Sequence, residues 1–108
     1  MPAPPAKIKE ALEKFIENLK KHLGEDVQVY LFGSYARGDW LTDSDIDVIV
    51  ISEKLKETPH HQRYPKLRKL APPTHPFEIL AYTPSEFKKA REKSIVLKDA
   101  EKHWVKLT

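Results

Sequence analysis

Between residues 5 and 23, apolar side chains recur every three or four positions: Ile8, Leu12, Phe15, Ile16, Leu19 and Leu23, with Lys and Glu between them. That spacing predicts an amphipathic helix with one buried face. Pro4 and Pro5 suit its first turn and Gly24 its stop, while the proline-rich residues 1–5 are expected to fray. The pattern then changes. Val27 to Phe32 is a short β-branched and aromatic run ending at Gly33, which reads as a strand. Ile46 to Ile51 is more apolar and predicts a central strand covered on both faces. Phe77 to Thr83 reads as a third strand. Thr83-Pro84-Ser85-Glu86 has the capping-box pattern with proline at the first helical position, opening a helix to about Lys93. Residues 94–101 allow a further helical turn or two, and His103 to Leu107 a last short strand that buries Trp104. Residues 52–76 are the least regular, with a short helix predicted over Tyr64 to Leu70 and Pro65 near its start.

Composition narrows the class. A chain of 108 residues is read as one domain, 1–108, with a single modest core. An apolar fraction of 40% with 32% charged residues describes a soluble globular chain. No stretch approaches the roughly 20 apolar residues of a membrane span, and the first residues lack the profile of a secretory signal. With no cysteine, disulfides and thiolate metal sites are excluded and a cytoplasmic setting is expected. Nineteen basic residues against sixteen acidic ones give +3, enough to favour a polyphosphate but too little to name nucleic acid as a partner. Abundant Lys and Glu with nine prolines suit a thermophile. Residues 52–76 hold six basic residues, Lys54, Lys56, Arg63, Lys66, Arg68 and Lys69, against Glu53 and Glu57. Such a run reads first as a solvated face and second as a flank that attracts phosphate or an acidic partner. His60-His61 invites a metal reading, but adjacent side chains point apart and no ligand spacing accompanies them, so a loop pair is preferred.

The chemistry concentrates between residues 31 and 47. A strand that stops at Gly33-Ser34 and turns into a helix aims backbone N–H groups at whatever lies in front of it. Gly33 permits close approach of a phosphate, the Ser34 hydroxyl adds a hydrogen bond, and Arg37 one turn on offers a guanidinium fork. Alone this junction is weak, because tight turns use Gly and Ser everywhere. The carboxylates sharpen it. Residues i and i+2 of a strand share a face, so Asp45 and Asp47 project together, with Cα atoms roughly 6–7 Å apart, while Ile46 and Val48 face the other way. Two like charges there call for a hard cation such as magnesium, which a nucleoside triphosphate brings with it. The plainer reading, two aspartates solvating a strand's start, loses ground beside Gly33-Ser34 and Arg37. Trp40 and Tyr35 are each open to local packing or to stacking on a base or partner.

Gly33-Ser34-x-Ala36-Arg37-Gly38, five residues, then Ser44-Asp45-Ile46-Asp47 and an apolar strand resembles the signature of the polymerase-β-like nucleotidyltransferases. The small size resembles the minimal nucleotidyltransferases that accompany HEPN-domain partners. The resemblance implies an α/β fold of α+β type, a small mixed sheet flanked by helices. It implies that Asp45 and Asp47 hold Mg²⁺, two ions in all, and that Gly33, Ser34 and Arg37 bind the triphosphate of ATP. It also implies a third catalytic and metal-binding carboxylate on a later strand, for which Glu78 is the candidate, with an edge-strand glutamate facing water as the alternative. The implied activity moves AMP from ATP to an acceptor hydroxyl, with a HEPN-type toxin as acceptor and an antitoxin role. The rival readings are a contact-only antitoxin and transfer to a small molecule or RNA end. Paired aspartates favour the enzyme, since binding alone does not need them.

Overall fold

Residues 4–108 are described by the computed structural model; for residues 1–3 the expected fraying lies outside the described range. Helix α1 (Ala6–Leu23) turns Ile8, Ala11, Leu12, Phe15, Leu19 and Leu23 inward. It stops at Gly24, whose positive φ of 96° suits a residue without a β-carbon and whose N–H donates to the Lys20 carbonyl. Strand β1 (Gln28–Phe32) runs directly into the one-turn helix α2 (Gly33–Arg37), which Gly38 closes in the left-handed conformation. After a loop come β2 (Ile46–Ile51), a 3₁₀ turn (Glu53–Glu57), α3 (His60–Arg68) and β3 (Phe77–Tyr82). Helices α4 (Pro84–Lys93) and α5 (Ile95–Glu101) and the two-residue strand β4 (Val105–Lys106) follow.

The four strands form one mixed sheet in the order β3-β2-β1-β4. Strand β2 lies parallel to β3, with Asp47 opposite Glu78, and antiparallel to β1, with Phe32 opposite Asp47. Strand β2 is therefore central, and its sequence shows why it lacks the usual apolar-polar alternation. Ile46, Val48 and Val50 pack with α1 on one face, while Ile49 and Ile51 pack with Phe87, Leu97 and Ala100 of α4 and α5 on the other. Each such side chain, once buried, stabilises the fold by roughly 1.5–3 kcal/mol. The same parity sends Asp45 and Asp47 to the α4–α5 face, at the end of the strand where α5 no longer covers them completely.

Three expectations need correction. The helix placed over Tyr64–Leu70 begins earlier, at His60, and Pro65 sits inside it. Tertiary bonds override the local preference. Buried Arg63 donates from Nε to the Thr58 carbonyl (2.9 Å), and from Nη1 to the Ala81 carbonyl (3.3 Å) and to Glu86 (2.6 Å). These contacts hold the first turn helical, and in a helix this short Pro65 removes a single backbone bond. Trp104 is only partly buried: it leans on Tyr30 and Phe87 with the Arg91 guanidinium over its ring. The basic run of 52–76 is in part an internal brace. Besides Arg63, Lys66 reaches the Thr58 hydroxyl, and Arg68 donates to the carbonyls of Ala71, Pro72 and His75.

Candidate active site

The site grows from the junction of β1 and α2. Gly33 has φ of 73°, a conformation L side chains rarely adopt. The reason is steric as well as conformational. The Asp47 side chain lies against the Gly33 α-carbon, so a β-carbon there would overlap Asp47 Oδ2 and stand 2.9 Å from its Cγ. Antiparallel pairing of Phe32 with Asp47 enforces this approach. The glycine thus makes room for the second aspartate, a role separate from admitting a phosphate.

Asp47 is half-buried, Asp45 and Glu78 are exposed. Burial, then the charge of Glu78, then that of Asp45, push the Asp47 acid up to about 6, against a smaller opposing pull from Arg37. Glu78, Asp45 and Arg37 thus all act on Asp47. Arg37 is tied by its Nε to Asp39 at 3.1 Å and keeps the rest of its fork for other partners. Ser34 uses its carbonyl to close the turn, accepting from Gly38 and Asp39, and its hydroxyl has no bond among the described residues. Ser44 caps the preceding loop by accepting from the Leu41 N–H at 2.8 Å.

A cleft of about 430 Å³ opens at this point, lined by Phe32, Gly33, Arg37 and Asp47 on one side and by Ile95, Val96, Asp99 and Ala100 of α5 on the other. The α5 wall was not among the expected site residues. Its only sequence signal is two adjacent large apolar residues after the Ser94 cap, in a segment whose periodicity is too short to orient. A larger cavity, about 630 Å³, is lined in part by Tyr35, Trp40, Asp43 and His75 and contains none of Gly33, Arg37 or Asp47. Trp40 stacks on buried Tyr35 with centroids 5.5 Å apart, so both aromatics serve local packing. His60 lies 3.3 Å from Glu86, on the α3–α4 contact, and does not line the cleft that holds Asp47.

Whether these residues suit a metal can be judged from their charge. Among the described residues no three His, Asp or Glu side chains are disposed to enclose an ion by themselves. Magnesium, however, is commonly held by one or two carboxylates together with substrate phosphates rather than by a dedicated cage. A half-buried aspartate crowded by two further acids is the arrangement such an ion relieves. The pair Asp45 and Asp47 fits that mode, with Glu78 next to it across the β2–β3 register.

Comparisons with known proteins bear on the family and the fold. Three Methanocaldococcus jannaschii proteins bearing the proposed name protein adenylyltransferase are 43%, 42% and 37% identical to this chain over 44, 45 and 65 residues. Those stretches cover 40%, 41% and 59% of this chain, and 44%, 31% and 63% of the relatives, so the match spans less than two thirds of each relative. Two solved structures, each described as a proposed nucleotidyltransferase, share the fold. The first, from Sulfolobus solfataricus, has a TM-score of 0.52 at 21% identity, covering 82% of this chain and 84% of its own. The second has a TM-score of 0.55 at 25% identity, covering 94% and 98%. The profile of the nucleotidyltransferase domain family matches residues 12–103, and the chain belongs to that family.

Proposed function

We propose that this protein transfers AMP from ATP to a hydroxyl group on another protein. One observation carries the reading: a glycine kept bare so that Asp47 can crowd against the strand–helix turn, with Asp45, Glu78 and Arg37 in the same electrostatic field. Pure binding does not require such a concentration of carboxylates beside a cleft of about 430 Å³. The protein adenylyltransferase names of the relatives support a protein as acceptor.

In this reaction the acceptor oxygen attacks the α-phosphorus in line, and the bond to the bridging oxygen of the departing pyrophosphate breaks. Gly33, the Ser34 hydroxyl and Arg37 hold the triphosphate, so that catalysis is mainly positioning and electrostatic stabilisation. Asp45 and Asp47 would hold magnesium, whose contribution when bound is neutralisation of charge on the attacking and leaving oxygens. Glu78 either joins that ligand set or accepts the acceptor's proton. The acceptor we favour is a tyrosine hydroxyl on a HEPN-type toxin, silenced by the modification, which makes this chain its antitoxin. The test is incubation with α-labelled ATP and Mg²⁺, with and without the protein encoded next door. Label on that protein, lost with Asp45→Asn or Asp47→Asn, is expected. Tight inhibition of the partner without any label would establish a contact-only antitoxin instead.

A further inference from the structure

Two of the largest exposed apolar side chains stand together at the mouth of the cleft: Ile95 is 85% and Val96 58% exposed. Helix α5 holds them there firmly. Leu97 and Ala100 are buried in the second core cluster, and the Ser94 hydroxyl caps the helix by accepting from the Leu97 N–H. Residues four apart lie in one row on a helix, so Ile95 with Asp99 and Val96 with Ala100 form two adjacent rows, and all four line the cleft opposite Gly33, Arg37 and Asp47. The cleft is therefore polarised along its length. One end offers a guanidinium, a glycine turn and the Asp47 carboxylate, which with Asp45 would hold a cation against the phosphates. The other offers apolar surface and a single carboxylate, Asp99, whose side chain has no bond among the described residues.

That polarity suits only one orientation of a phosphorylated ligand. A carboxylate is an acceptor without a donor, so Asp99 repels phosphate and attracts hydroxyl groups. Its volume, about 430 Å³, falls within the range of roughly 300–1,000 Å³ typical of small-molecule clefts. We infer that the α5 wall is the nucleoside subsite of the cleft: Ile95 and Val96 pack on the base and Asp99 accepts hydrogen bonds from the ribose hydroxyls. This rests on the proposed function for the identity of the phosphate end, but it assigns residues that the nucleotidyl-transfer signature does not include.

Calorimetry with Mg-ATP and with Mg-tripolyphosphate separates the two ends. The wild type is expected to bind ATP about tenfold more tightly than tripolyphosphate, the scale of one apolar side chain partly buried. Ile95→Ser with Val96→Ser should erase that preference and leave tripolyphosphate binding unchanged; both side chains are exposed, so folding is not at stake. Asp99→Asn should erase the preference for ATP over 2′,3′-dideoxy-ATP. Equal wild-type binding of ATP and tripolyphosphate would leave the phosphate end standing and overturn the nucleoside assignment. So would a serine double variant that keeps its ATP preference, including one that fails only in transfer to the acceptor. A wild type that binds neither ligand would overturn the proposed function, and this subsite with it.

Discussion

At the scale of single residues, Asp47 and Gly33 are a coupled pair. The Asp47 acid, raised from 3.8 to about 6 by burial and its acidic neighbours, works against folding once ionised. Its favourable share of stability is complete below the unfolded value and is lost as pH rises through about 6. Asp47→Asn should therefore stabilise the metal-free protein by ~1–2 kcal/mol near pH 8, after discounting the half-buried site for solvent screening. The gain should vanish below about pH 4, where the wild-type acid is protonated too. Urea denaturation at pH 4, 6 and 8 measures this, while nucleotidyl transfer by the same variant should fall by orders of magnitude. A variant no more stable than the wild type at pH 8 would show that the acids do not strain the site. Gly33→Ala should cost stability by about 1–3 kcal/mol through its positive φ alone, and should displace Asp47 besides. Loss of activity in that variant would not by itself locate the phosphates. The glycine was legible in the sequence as a turn residue beside a strand. Its neighbour across the turn was not, because Asp47 is fourteen positions away and meets it only through the β1–β2 register.

Secondary-structure elements were read best where a periodic pattern had a cap. The Thr83 hydroxyl accepts the Glu86 N–H and Glu86 returns the bond to the Thr83 N–H at 2.8 Å, as the capping-box pattern predicts. The helix 60–68 was misplaced because what starts it is distant in sequence: Glu86 also accepts two bonds from buried Arg63, joining α3 to α4. Hydrogen bonding to Arg63 holds the Glu86 acid down at about 2. The pair's stabilisation is thus present above the ordinary carboxylate value of 4.5 and is lost as pH falls towards 2. Glu86→Gln should cost about 3 kcal/mol near neutral pH, because it leaves a buried guanidinium without its counter-charge. Thr83→Ala, which removes the capping hydroxyl and one buried methyl, should cost less, about 1–2 kcal/mol. Thermal denaturation of both variants checks the ranking. A milder loss in Glu86→Gln would mean the Arg63 carbonyl contacts carry the α3–α4 junction without the carboxylate.

For the whole molecule, the alternation on β2 and β3 collects Asp45, Asp47 and Glu78 on the face that α4 and α5 cover. The order of elements was visible in the chain, but the pairing of β2 with β3 through a parallel crossover was not, and neither was the α5 wall of the cleft. That wall sharpens the case for a protein acceptor. A cleft of about 430 Å³ is occupied once a nucleotide lies between the Gly33 turn and α5, which leaves the second reactant to come from outside. Catalysis requires both reactants in near-attack geometry, worth several powers of ten in rate. The isolated protein should accordingly bind Mg-ATP yet transfer AMP slowly, with some label on itself. Adding the cognate partner should yield a partner heavier by one nucleoside monophosphate, visible by intact-mass spectrometry and absent with Asp45→Asn or Asp47→Asn. Of the basic segment 52–76, Lys54, Lys56 and Lys69 remain exposed, whereas Arg63, Lys66 and Arg68 have internal partners. Replacing those three lysines with serine should slow transfer to an acidic partner and weaken its dependence on salt, while leaving Mg-ATP affinity unchanged. If transfer to the partner is as fast in the triple variant as in the wild type across a salt series, the partner docks elsewhere, and the open rim beside Asp45 and Glu78 becomes the surface to vary next.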